Sequence, residues 1–460
     1  MMRLTAMSVS ALAVMHSTRS FVLPFKAPSA PMTLCLTRAR CQRISSRTHP
    51  ARSTAEVTQV GAGSPSPIMG RGREVFSLAP MMEYTDRHMR FLLRLLTKRT
   101  VLWTEMVPSP TITHNSDDLA RFLDYNEGVE HPVVLQIGGS DTTIVSEACR
   151  LARPYNYDAI NLNCGCPSEK VAGKGAFGAA LMRSPSHVKD LCLAMRDGAG
   201  EETPITVKCR IGVDDDDSYE QLAAFVDEVY RGAGVTHFII HARKAILGGL
   251  SPAENRSIPP LRHDFVYRLV KDFPDVDFTL NGGINTYEEV RVALSCLEQG
   301  AHGVMVGRSW SSKPWYWSQA DSKFFGTKDP GLNRREVLET YAEYGERQEK
   351  AYGGQWLACR RRLAKPVWHL FHGEKNGKKF RVALESLLRE ERPFGEILEK
   401  SLQTLSQEQV DRLPGQSWDP RGSQEEKNVE SLAVDPGCVS VPRGVPDGRF
   451  RDGRMYYTDS

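Results

Sequence analysis

The sequence predicts a (β/α)8 barrel followed by a small all-helical domain, and three observations carry that reading. Eight short β-branched or apolar runs alternate with stretches of helical periodicity between Val75 and Val306. Polar residues and glycines stand at the C-terminal ends of those runs, where such a barrel keeps its chemistry. From about Arg334 the strand-like runs stop and helix follows helix until the composition turns polar beyond Arg412. A doubly wound parallel sheet shares the alternation, but eight strands in this span have the size and rhythm of the barrel.

The expected strands are Val75–Met81, Val101–Met106, Val133–Gly138, Ala159–Asn163, Ile205–Ile211, His237–His241, Asp277–Leu280 and Gly303–Val306. Between them Thr142–Arg153, Ser186–Arg196, Tyr219–Tyr230, Asp264–Asp272 and Tyr287–Glu298 place apolar residues three and four apart, the pattern of crossover helices. Glu336–Lys350, Trp356–Phe371, Phe380–Glu390 and Phe394–Leu405 supply the helical domain. The expected division is a leader at 1–72, a barrel at 73–330, a helical domain at 331–408 and a tail at 409–460. The tail holds too little apolar surface to build a core, so disorder is expected there.

Composition narrows the class. With 40% hydrophobic and 25% charged residues in 460, the chain reads as a soluble globular protein. A net charge of +3 is too mild to mark a polyanion binder by itself, so the distribution of charge must decide. Ten cysteines without a CxxC pair fit a reducing compartment and free thiols. No run approaches the roughly 18 apolar residues of a membrane span. Neither a metal nor a membrane is expected, and the chain is expected to be a monomer.

From Met1 to Gly70 the only acidic residue is Glu56, against Arg3, Arg19, Lys26, Arg38, Arg40, Arg43, Arg47 and Arg52 among many serines and threonines. That is the composition of a transit peptide. The apolar run Ala11–Met15 followed by Ser20-Phe21-Val22-Leu23-Pro24 resembles the two-part leaders of algae with secondary plastids. A plastid address is the expectation; a mitochondrial presequence, or an extension without import function, is the alternative.

The strand ends gather the chemistry. They read Ala79-Pro80-Met81, Gln136-Ile137-Gly138-Gly139, Asn161-Leu162-Asn163-Cys164-Gly165-Cys166-Pro167, Lys208-Cys209-Arg210 and His241-Ala242-Arg243-Lys244. Strands seven and eight end Asn281-Gly282-Gly283 and Gly307-Arg308, the two loops that bind phosphate in many barrels. One glycine pair alone would be read as a turn; two such loops in the two right places, with an arginine beside them, favour phosphate.

On these residues the chain resembles the tRNA-dihydrouridine synthases, most closely the branch acting on D-loop positions 20 and 20a. The resemblance runs from about Phe76 to Phe380. It rests on Ser77-Leu78-Ala79-Pro80-Met81, Asn161–Pro167, Phe177-Gly178-Ala179, Lys208–Gly212, His241–Lys244, Leu250-Ser251-Pro252, Glu254-Asn255-Arg256 and Asn281–Ile284. It implies FMN in the barrel mouth, with Ala79, Pro80 and Met81 under the ring and Gln136 at its pyrimidine edge. Lys208 and His241 would also touch the cofactor, and Asn281, Gly282, Gly283, Gly307 and Arg308 would hold its phosphate. It further implies NADPH as reductant and tRNA as partner.

Several roles follow from chemistry as well. A lysine at the N1/O2 edge of a flavin stabilises the negative charge that reduction places there, which suits Lys208; a barrel-interior lysine paired with a carboxylate is the alternative. His241 could equally be a hydrogen-bonded core histidine. Reducing uridine to dihydrouridine takes a hydride at C6 and a proton at C5. Cys166 is the candidate acid, because a thiol of ordinary pKa is mostly protonated at neutral pH; a small buried hydrophobe is the alternative. Cys164 is given no chemistry, since a Cys-x-Cys pair alone is a poor metal site. Asn163 could bind the flipped base or the RNA, or could instead cap backbone. Arg360, Arg361, Arg362, Lys365, Lys375, Lys378, Lys379 and Arg381 concentrate positive charge beside Trp368, His369, Phe371 and His372. Such a run is either a solvated helix face or an RNA groove, and the rings favour the groove. Lys170 and Lys174 would extend it to the mouth, and Glu254, Asn255 and Arg256 match the branch that reads the D-loop. Two readings compete: another FMN barrel reducing a small enoate or pyrimidine, and an RNA-binding protein that no longer turns over.

Overall fold

The computed structural model describes residues 75–168, 171, 177–295, 303–351 and 356–416, with the backbone of 448–451 and 454–457. The leader, Lys170, Lys174 and most of the tail lie outside the described residues. Eight parallel strands, β1 (Phe76–Leu78), β2 (Leu102–Pro108), β3 (Val133–Gly138), β4 (Ala159–Cys164), β5 (Ile205–Arg210), β6 (His237–His241), β7 (Asp277–Asn281) and β8 (Gly303–Val306), pair in ring order. Leu78 N–H donates to the Val101 carbonyl and Val101 N–H to that of Phe76, joining β1 to the approach of β2 and closing the barrel.

Period-two alternation sorts the side chains. On β4, Ile160 and Leu162 face the helices while Ala159, Asn161 and Asn163 face the axis. Trp103, Val134, Ala159, Ile239 and Met305 fill the inside of the barrel as one buried cluster. The register sets Asn163 beside Lys208, Arg210 beside His241, and His241 beside Asn281. Polar groups spaced two apart along four strands therefore meet at one end of the barrel.

The crossover helices start where local chemistry stops the strand. Asp86 accepts from the amides of His88 and Met89 to open Arg87–Leu96, a helix that the periodicity reading passed over. Ser218 and Gln221 form a capping box for Tyr219–Ala233, which ends at Gly234 with φ +63°.

The helical region comprises Arg334–Ala351, Trp356–Ala364, Gly377–Leu387, Phe394–Leu402 and Gln407–Asp411. The expected helix Trp356–Phe371 breaks at Pro366, which has no N–H to donate, and continues as the 3-10 turn Lys365–His369. At the expected boundary near 408, Gln409 is buried and donates to the Glu374 carboxylate and the Lys375 carbonyl, so helix Gln407–Asp411 packs against this region. Gly448–Arg451 and Arg454–Tyr457 also pair antiparallel within the stretch expected to lack structure. Helix Arg87–Leu96 joins the region to the barrel: the Phe91 and Tyr344 rings stack at 4.0 Å, and His88 Nδ1 meets Tyr344 Oη at 2.8 Å. Among the described residues, no helix is long and apolar enough to cross a membrane, and no three His, Cys, Asp or Glu side chains group as a metal site.

Candidate active site

A cavity of about 560 Å³ opens at the C-terminal mouth of the barrel. Ala79, Pro80, Met81, Gln136, Asn163, Cys166, Lys208, His241, Asn281, Gly282, Gly283, Gly307 and Arg308 all line it, as do Arg210 and Arg256. Every residue named from the sequence as a cofactor contact, and the candidate acid, thus stands on one surface. Its charged lining is four cations, Lys208, Arg210, Arg256 and Arg308, against one carboxylate, the exposed Glu83, so the site complements an anionic ligand.

A relay of side-chain amides shapes one wall. Asn161 Nδ2 donates to Thr206 Oγ1 (2.9 Å), Gln136 Nε2 to Asn161 Oδ1 (2.9 Å), and Asn163 Nδ2 to Gln136 Oε1 (2.8 Å). Asn163 Oδ1 then accepts from the amides of Gly165 (3.1 Å) and Cys166 (3.0 Å). Asn163 thus caps this backbone while lining the cavity, and its carbonyl helps to fix where Cys166 sits. Gly178 completes the turn with φ +70°, and a Cβ there would lie 2.6 Å from the Cys166 carbonyl oxygen.

Arg210, passed over as a site residue, clamps the same turn from below. Its Nε donates to the Gly165 carbonyl (2.9 Å) and Nη1 to those of Lys244 (2.9 Å) and Asn255 (3.0 Å). Its place at the end of β5 beside Lys208 was the signal that could have found it. The Cys166 thiol is partly buried. Burial pushes its pKa above the ordinary thiol value, and the nearby Arg210, Arg256 and Lys208 only partly offset that. That direction favours the protonated thiol over the thiolate at neutral pH.

Lys208 Nζ donates to Asn281 Oδ1 at 3.0 Å and meets no carboxylate among the described residues, so the carboxylate-paired alternative is set aside. Burial, aided by the Arg210 charge, lowers its pKa to about 8. Asn281 Nδ2 donates to the Met305 carbonyl (2.8 Å), so the side chain is held where its Oδ1 orients Lys208, and its second N–H is left on the cavity. Burial and the surrounding Arg210, Lys208, Arg243 and Arg308 hold His241 well below the usual imidazole range, so its ring is neutral. Its Nδ1 is buried without a partner among the described residues. Gly282 (φ +109°) and Gly283 (φ +82°) adopt backbone closed to side chains, and at Gly283 a Cβ would press within 2.5 Å of Leu261. Positive-φ glycines, the exposed Arg308 and an unpartnered histidine nitrogen in a cation-lined cavity make a donor set that fits a phosphate-bearing flavin.

Three further expected RNA contacts have partners within the protein itself. Asn255 is fully buried: Oδ1 accepts from Ile246 N–H, and Nδ2 donates to the carbonyls of Ile246, Leu250 and Ser251, so it braces its loop. Glu254 turns its carboxylate back onto the amide of Ser251 (2.8 Å). Lys365 donates to the Glu83 carbonyl and stands 4.4 Å from the centre of the Tyr84 ring, tethering the loop after β1 instead of facing solvent freely. Arg360 is likewise structural, buried against Glu349 and two backbone carbonyls. Arg361, Arg362, Lys378 and Lys379 are exposed on their helices and have no carboxylate partner among the described residues.

Comparison with known proteins agrees with this architecture. The model of the family described as dihydrouridine synthase matches residues 77–409. A tRNA-dihydrouridine(20/20a) synthase of Pseudomonas putida is 43% identical over 311 residues, covering 68% of this chain and 88% of the relative. One of Vibrio vulnificus is 40% identical over 332 residues, 72% and 97% of the two chains. One of Escherichia coli K12 is 46% identical over 273 residues, 59% and 76%. The chain is a member of the dihydrouridine synthase family.

Proposed function

We propose that this chain reduces uridine to 5,6-dihydrouridine in tRNA, at D-loop positions 20 and 20a, with FMN as its cofactor and NADPH as the reductant. The observation that carries the reading is a partly buried thiol, Cys166, fixed by Asn163 on a cation-lined cavity at the mouth of a barrel of this family. FMN, when bound, supplies the hydride for C6 of the uracil. Gly282, Gly283, Gly307 and Arg308 would hold its phosphate, and Ala79, Pro80 and Met81 would lie under its ring. Cys166 delivers the proton to C5, and the asparagine relay with the Arg210 clamp keeps that thiol in place. Positions 20 and 20a come from the names of the relatives. The small-molecule alternative is disfavoured by the exposed basic groups of the helical region.

Purified protein given NADPH should form dihydrouridine in tRNA transcripts that lack it, detected by mass spectrometry. Replacing Arg361, Arg362, Lys378 and Lys379 together by alanine should weaken tRNA binding and reduce the slope of log affinity against log salt by up to about 0.7 per lost phosphate contact. Bleaching of the flavin by NADPH should be unchanged. No dihydrouridine in the parent would reject the reading, whereas a variant that binds tRNA with the parental slope would reject only this RNA face.

For residues 1–72 we propose a plastid leader. A fluorescent protein carrying residues 1–75 should concentrate in plastids, and a diffuse cytosolic signal would remove the assignment.

A further inference from the structure

The loop between β1 and helix Arg87–Leu96 is unusually well fixed for a segment at the mouth of a site. The amides of Tyr84 and Thr85 donate to the Met81 carbonyl (both 3.0 Å), Met81 N–H donates to Thr85 Oγ1 (3.0 Å), and Asp86 caps the helix that follows. Lys365 reaches over from the helical region to the Glu83 carbonyl, its ammonium lying against the Tyr84 ring. So restrained, Tyr84 still leaves 48% of its surface exposed. A large flat ring held in place and left open is a stacking surface whose conformational cost is already met in the free protein.

Tyr84 borders a second, smaller cavity of about 110 Å³, at the seam between barrel and helical region. Its other walls include Met89, Ser311, Pro366, Trp368 and His369. Apolar and aromatic groups dominate, with room for one planar ring. Tyr84 and Ser311 line both this cavity and the one that holds Cys166, so the two are neighbours along the mouth.

We propose that the seam cavity is a slot for a second nucleobase of the RNA, the one next to the target uridine in sequence. The inference rests on the function proposed above. Bringing a base out of its stack to meet Cys166 also strips its neighbour of a stacking partner, and adjacent nucleotides can reach adjacent cavities. An aromatic slot restores that lost stacking without reading base identity, because every base has a π-face. Holding the neighbour fixes the register of the loop, so that one nucleotide enters the reaction cavity at a time. Lys365, already bound to the Glu83 carbonyl, keeps Tyr84 in position and is a positioning residue.

The test uses the full chain and tRNA transcripts with an abasic residue placed immediately 5′ or 3′ of the target uridine. A base stacked on an aromatic ring contributes about a factor of ten in affinity. One of the two abasic RNAs should therefore lose about tenfold in kcat/KM with the parent, mainly through KM. Tyr84→Ala should lose about tenfold on intact tRNA and show no further loss on that abasic RNA, while Tyr84→Phe should behave as the parent. His369→Ala, which borders only the seam cavity, should also blunt the abasic penalty and guards against a Tyr84 variant that distorts its loop. The proposal is overturned if the parent uses both abasic RNAs as well as intact tRNA, or if both alanine variants keep the full penalty. If the parent forms no dihydrouridine at all, it is the proposed activity that fails.

Discussion

Cys166→Ala is expected to lower the rate of dihydrouridine formation by about 10²- to 10⁴-fold, the usual cost of losing a general acid, or roughly 3 to 5 kcal/mol on the barrier. Bleaching of the flavin by NADPH alone should proceed at close to the parental rate, because no proton is delivered to uracil C5 until RNA is present. The separation follows from position. Cys166 is held at the cavity by Asn163 through backbone amides, which alanine retains, so the turn and the flavin contacts should survive the change. The sign of the pH dependence is fixed as well. Burial raises the thiol above its ordinary pKa, so the donor stays loaded through neutral pH, and base reduction should fall only in the alkaline range where the thiol ionises. Single-turnover measurements of both halves in both proteins check this. Dihydrouridine forming at near-parental rate in the variant, or bleaching lost together with it, would take Cys166 out of the proton step.

The barrel was legible because burial on both faces leaves an apolar run for each parallel strand, and the predicted bounds of β3, β6 and β8 coincide with the observed ones. The site was legible at the level of residue type at a strand end: period two carries Lys208, His241 and Asn281 to one place once the strands are correct. What a sequence does not display is whether a polar group is already engaged. The packing of Asn255 inside its own loop and the hold of the Asn163 carbonyl on the Cys166 turn are invisible in the sequence, and Lys365 looks like one more free cation of a basic run until Glu83 and Tyr84 are found beside it. Arg90 and Arg94 mislead in the opposite way. They sit on a helix otherwise rich in leucine and are buried, paired to Glu130 and to four backbone carbonyls respectively, a role no charge count reveals. The seam cavity escaped for a third reason: Tyr84 and Trp368 are 284 positions apart (368 − 84), and nothing in local periodicity brings them together.

Lys208→Met should slow flavin reduction by NADPH by about 10²- to 10³-fold, the loss found when a preorganised donor is removed from a developing negative charge. Two observations make the lysine suited to that task. Its polar partner is the neutral Asn281 amide, with no carboxylate among the described residues to offset its charge, and burial with Arg210 nearby lowers its pKa to about 8. Below pH 8 the ammonium is present, and above it the cation is lost, so the reduction rate should hold a plateau and then fall as pH rises through about 8. A bound anionic ligand favours the charged form, which moves that limb upward, never downward. The Lys208→Met variant should lack the limb altogether. Stability supplies the control that a packing defect cannot imitate. A lysine whose folded pKa lies below its unfolded value is a destabilising charge at neutral pH, fully so below pH 8 and progressively relieved as pH rises toward the ordinary lysine value. Replacing it with an uncharged chain of similar length should leave the melting temperature unchanged or raise it at pH 7, with the difference from the parent shrinking at alkaline pH. Slower reduction together with undiminished stability would mark Lys208 as a residue kept for its charge. A variant that melts early and loses flavin would instead make it part of the barrel's packing.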